Sequence, residues 1–106
     1  VEAHFADYPL AWRLFLACLE VMHMDPYLEW TDAGVLRARR WYPCIEFHPQ
    51  PDALVLHLDL YGIRKHRRLR PVEPQKWNAL RLTRRSQVDE QVAAWLCEAL
   101  DIGNMK

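Results

Sequence analysis

The sequence lacks nearly every motif that announces a chemistry. It has no glycine-rich phosphate loop, no GxSxG and no HExxH, so the common nucleotide-binding, serine-hydrolase and zinc-protease signatures are missing. A nucleophile and base drawn from Cys44 with His48 or His57 has no third orienting group specified by spacing. A strand cysteine shielded from solvent is usually inert, so no enzyme is expected. Cysteine is scarce too: Cys18, Cys44 and Cys97 are odd in number and form no CxxC or CxxH spacing. That argues against a disulfide framework and points to a reduced, cytoplasmic protein. The run from Leu10 to Met24 is too short and too interrupted to span a bilayer, and no signal peptide is read.

Net charge is also absent, but only in sum. Residues 1–36 hold six acids and one base, residues 37–85 twelve bases and four acids, and residues 86–106 four acids and one base. A basic middle between acidic ends suggests an anion-binding surface. It equally suits basic strands that neutralise acidic helices within one fold.

What is present is a core. Half of the 106 residues are hydrophobic and five are tryptophan, which excludes a disordered tail. The length suits a single domain, residues 1–106, able to bury about two-thirds of its unfolded surface. Its clearest element is a hairpin. Cys44-Ile45-Glu46-Phe47-His48 alternates polar and apolar, Pro49 to Asp52 supplies turn chemistry, and Leu54 to Leu60 alternates again. Facing Phe47 with Leu56 and Ile45 with Leu58 places every apolar side chain on one side. Cys44, Glu46, His48, His57 and Asp59 then share the other, and a one-residue slip would mix the two sets.

Around the hairpin the reading is coarser. A first helix opens at Asp7 or Tyr8, with Asp7 able to cap and Pro9 in the first turn, and stops before Pro26. Between Leu10 and Met22 only Arg13 and Glu20 are charged, so the helix is apolar over most of its girth. One short chain has little material to cover such a helix twice, and a homodimer through it is expected. Asp25 to Gly34 reads as a connector and Val35 to Trp41 as a strand. Tyr61 to Lys76 reads as a long basic loop with room for a short strand near Leu69, and Trp77 to Thr83 as a further strand with Leu80 and Leu82 inward. Ser86-Gln87-Val88-Asp89 has capping-box spacing. Val88, Val92, Trp95, Leu96 and Ala99 follow at helical spacing, and Gly103 is a suitable stop. The expected fold is α+β: an antiparallel sheet of three to five strands, with an N-terminal and a C-terminal helix packed on one face.

The strand Trp77-Asn78-Ala79-Leu80-Arg81-Leu82-Thr83 precedes a Val88-Asp89-Glu90 helix start carrying Trp95-Leu96 and Glu98-Ala99. This order resembles a family of small bacterial domains of unknown function, the one numbered fifty-six fifty-five. The resemblance covers roughly residues 26–102 and rests mostly on core positions. It implies a fold and says almost nothing of function. Family members often carry histidine just before the Arg-Leu strand. Trp77-Asn78-Ala79 stands there in this chain, so no role for such histidines is carried over.

The outer face of the sheet is the leading candidate surface. It gathers Arg37, Arg39, Glu46, His48, His57, Asp59 and Arg81, a set that suits an anionic ligand or a pH-sensitive contact. The plainer reading is a solvated face of cross-strand ion pairs. A metal site from Cys44, His48, His57 and Asp59 is disfavoured, because alternate positions on one strand sit ~7 Å apart. No metal or cofactor is expected, and His4, His23 and His66 read as surface residues. The expectation is a binding domain whose partner is an anionic small molecule or a protein. The alternative is a nucleic-acid-binding module using Arg64, Lys65, Arg67, Arg68, Arg70, Arg84 and Arg85, with Trp41, Tyr42, Tyr61 or Trp77 stacking on bases.

Overall fold

A computed structural model describes residues 2–105. Within them the chain folds as α+β, with two α-helices and one antiparallel sheet of six strands rather than three to five. The strands are β1 (Tyr27–Trp30), β2 (Leu36–Arg39), β3 (Pro43–Gln50), β4 (Ala53–Leu58), β5 (Leu69–Val72) and β6 (Trp77–Leu82). They lie in the order β1-β2-β3-β4-β6-β5. Helix α1 spans Pro9–Val21 and α2 spans Glu90–Gly103. No helix among the described residues is long and apolar enough to cross a membrane.

The hairpin β3–β4 has the expected register, Ile45 opposite Leu58 and Phe47 opposite Leu56, and all four side chains are fully buried. Val55 is the exception to the one-sided apolar pattern: it lies half-buried on the polar face, opposite His48. The turn is shorter than expected, because Pro49 and Gln50 still pair with Leu54 and Ala53. Pairing of β2 with β3 ends at Leu36–Phe47, so Pro49 lies beyond β2 and its missing N–H breaks no ladder there.

Two short strands lie outside the expected set or at its margin. Tyr27–Trp30, read as connector, is the edge strand β1, and Leu69–Val72 is the opposite edge, β5. The loop between β1 and β2 closes with Gly34 at a φ of 77°, a conformation glycine adopts without a Cβ clash.

Inward residues of the sheet and apolar residues of both helices form one core cluster. It joins Leu36, Ile45, Phe47, Leu56 and Leu80 to Leu14 and Phe15 of α1 and to Val92, Leu96 and Leu100 of α2. Phe15 meets Phe47 edge-on at 4.9 Å. Around α1, Phe5 contacts Trp12, Phe15 and Trp30. One chain thus covers much of the first helix.

The first helix opens at Tyr8 with Pro9 in its first turn, as read, but the caps of both helices differ from expectation. At α1, Tyr8 holds the cap position with no side-chain cap bond, and Asp7 lies one residue before it. At α2, Asp89 is the cap, accepting from the Val92 N–H at 3.1 Å. Ser86 belongs instead to a 3₁₀ turn, Arg85–Gln87. There Gln87 Oε1 accepts from the Thr83 and Arg84 N–H groups, which turns the chain before the helix begins.

Candidate functional site

On the polar face one row of residues registers straight across the sheet. Glu29 stands opposite Arg37, Arg37 opposite Glu46, Glu46 opposite His57, His57 opposite Ala79, and Ala79 opposite Arg70. Directly opposed residues of antiparallel strands share a face with Cβ atoms about 5 Å apart. The next row contributes His48, opposite Val55, which in turn faces Arg81.

These registers bring three expected residues into one cluster. His48 Nε2 lies 3.1 Å from Glu46 Oε1, and His57 Nδ1 lies 3.6 Å from the same oxygen. The two imidazoles are 4.0 Å apart between centroids. Burial lowers the His57 pKa from its ordinary value, and the neighbouring His48 charge lowers it further, against the pull of Glu46.

Arg37 approaches the other oxygen, Glu46 Oε2, at 3.8 Å and Glu29 Oε1 at 3.8 Å. Those lengths are ion pairs but not hydrogen bonds. Its Nε is buried with no partner among the described residues. Arg37, Pro43, Glu46 and His57 border an open groove of about 420 Å³, which Val72, Gln75 and Trp77 border as well. The small Ala79 next to His57 leaves that row low.

Other expected site residues lie elsewhere. Cys44 should share the polar face by alternation, yet it is fully buried. The pairing shifts between Ala38, opposite Ile45, and Arg39, opposite Pro43, so β3 carries an extra residue at Cys44. That bulge turns its thiol inward, where Sγ contacts the Ala38 carbonyl at 3.7 Å. A Cβ on Gly103 of α2 would come within 2.7 Å of that sulfur, so only glycine fits. Burial, and then the charge of Asp59, pushes the thiol pKa up to about 12. Cys44 is thus buried away from the Glu46, His48 and His57 cluster.

Asp59 follows the end of β4. Its N–H donates to the Cys44 carbonyl and its carboxylate accepts from the Tyr61 N–H, so it shapes a turn instead of joining the histidines. Arg39 donates to the Trp41 carbonyl and borders a different concavity, about 560 Å³, with Tyr27, Arg40 and Trp41. Arg81 pairs at 3.0 Å with Asp52 at the tip of the β3–β4 hairpin. Of the seven cations of the nucleic-acid alternative, three are engaged by acids near or within the helices. Arg64 pairs with Glu98, Arg68 with Asp89 and Arg85 with Glu20. Lys65, Arg67, Arg70 and Arg84 are exposed.

The histidines read as surface residues are exposed but have neighbours. His4 stacks on Trp30, His23 bonds Asp101, and His66 meets Trp95 edge-on. Two groups escaped the sequence reading. The groove residues Val72 and Gln75 depend on β5 pairing with β6, and Trp77, read only as a strand residue and a stacking candidate, borders the groove with them. Asn78, fully buried in β6, was legible only as a polar residue at an inward-facing position.

No family model matches the chain, and no curated protein and no solved structure matches it either. The resemblance drawn from the strand and helix after Trp77 therefore stands on those residues alone.

Proposed function

We propose that this protein is a binding domain that holds a small anionic molecule in the polar-face groove beside Arg37. The observation that carries the reading is the state of that guanidinium. It borders the groove, contacts two carboxylates only at 3.8 Å, and makes no hydrogen bond among the described residues, so its Nη1 and Nη2 donors, unlike the buried Nε, are open to a bidentate oxyanion. His57 borders the same groove and tunes the contact, with the His48 ring 4.0 Å from it. The reading takes both helices to stand on the apolar face, leaving the polar face open. Contacts of Phe15 with Phe47, and of Gly103 with Cys44, support that arrangement.

Arg39 and Arg81 are no longer needed, since each has its own neighbours away from the cluster. The nucleic-acid alternative draws less support, because ion pairs with acids near or within the helices occupy three of its cations.

The test is thermal unfolding in the presence of inorganic phosphate and simple organic phosphates. A ligand that binds only the folded chain raises the midpoint with its concentration. That rise should persist in Arg81→Ala and vanish in Arg37→Ala. A rise of equal size in Arg37→Ala, or none with any of these anions, rejects the reading.

A further inference from the structure

The groove residues Glu46 and His57, with His48 beside them, offer a donor set that an anion does not need. Glu46 Oε1, His48 Nε2 and His57 Nδ1 all lie within 4.8 Å of one another. A four-coordinate ion bonded at about 2.0–2.2 Å keeps neighbouring ligand atoms about 3.4 Å apart. Glu46 Oε1 lies 3.1 Å from one imidazole nitrogen and 3.6 Å from the other, on either side of that spacing. We infer that Glu46, His48 and His57 form a three-ligand site for a divalent transition-metal ion, Zn²⁺, whose remaining coordination positions face the groove.

The strand-spacing objection to a metal is met by geometry across the ribbon. Two ligands come from adjacent strands, His57 directly opposite Glu46. The third, His48, brings its ring to within 4.0 Å of His57. All three sit on β3 and β4, whose inward residues Ile45, Phe47, Leu56 and Leu58 are fully buried, so the donors stand on rigid elements. Arg37 approaches Glu46 Oε2, leaving Oε1 toward the imidazoles, the kind of outer contact that orients a metal-binding carboxylate. Two imidazoles and a carboxylate suit zinc, whereas calcium and magnesium sites are built from oxygens.

The inference rests on the groove being the working surface of the proposed function, but it does not need the anion. If both hold, the oxyanion beside Arg37 completes the coordination sphere of the ion.

Calorimetric titration of the chelator-stripped full chain with Zn²⁺ alone tests the site. One ion per chain is expected. His48→Ala, His57→Ala and Glu46→Gln should each weaken binding by about tenfold or more. His23→Ala and Cys97→Ser should leave it unchanged. Co²⁺ in place of Zn²⁺ should give a visible ligand-field band without thiolate charge transfer, which reads the donor set in the unmutated chain should an alanine variant fail to fold. Absence of Zn²⁺ binding, a thiolate band, or equal affinity in all three ligand variants overturns the site. Phosphate protection of the stripped chain that is lost in Arg37→Ala upholds the anion reading whichever way zinc behaves. Zinc binding with no anion protection upholds the metal site and rejects the anion.

Discussion

The β3–β4 ribbon and the crossover that follows the buried Leu60, residues 61–68, are held by different physics. The ribbon is fixed by burial. Its inward residues have no solvent exposure and its register follows from keeping them on one side. The crossover must pass β6 to reach β5, since β6 lies between β4 and β5. Directed polar contacts hold it there. Asn78 Oδ1 accepts from the Arg64 N–H at 2.8 Å and its Nδ2 donates to the Gly62 carbonyl at 3.0 Å. Arg64 reaches Glu98, and Arg68 reaches both Asp89 and the Gln87 carbonyl. Non-directional burial tolerates many sequences and shows as periodicity, whereas a directed bond depends on one atom and leaves no period.

Removing Phe47 attacks the ribbon and should have the largest effect. Phe47→Ala vacates a fully buried site against Phe15 and should cost about 3–5 kcal/mol in denaturant unfolding. A loss below about 0.5 kcal/mol, within the range of ordinary surface changes, would mean the ribbon is not the centre of the core. Asn78→Ala attacks the crossover instead. It strands the Arg64 N–H and the Gly62 carbonyl and should cost about 1–3 kcal/mol. Hydrogen exchange should quicken at residues 61–68 before the ribbon changes; simultaneous quickening in both would erase the distinction.

Asp89→Ala should have the smallest effect, about 1 kcal/mol, from loss of the α2 cap and of the Arg68 contact. Its pH dependence sharpens the comparison. The Val92 N–H first, and then Arg68, hold the Asp89 carboxyl below its ordinary value of 3.8. The contribution is complete above that value and is lost as pH falls through the lower folded one. The stability gap between wild type and Asp89→Ala should therefore close in strong acid. A gap that stays constant with pH would remove the carboxylate from the account.

Much of this architecture was legible in the residues. Alternation placed Ile45, Phe47, Leu56 and Leu58 inward and Glu46, His48 and His57 together outside, and helical spacing placed Val92, Trp95, Leu96 and Ala99 in the core. The edge strands were harder to read because four residues carry barely two periods: Tyr27 to Trp30 alternates only between exposed and half-buried. The reversal of Cys44 arises from one extra residue in the pairing, which is a relation between strands and not a property of either. Arg39 and Arg81 do share the face, but a face is wide. Successive same-side positions lie ~7 Å apart along a strand, so sharing a side does not mean sharing a site.

The seat of Cys44 beneath Gly103 gives the molecule an unplanned gauge. Its sulfur is sealed for as long as the last turn of α2 stays down, while Cys97 is only half-buried. A thiol-directed dye would mark Cys97 through small fluctuations but could mark Cys44 only when the helix end lifts. The ratio of the two adducts would therefore report, without any engineered cysteine, how often the second helix leaves its seat.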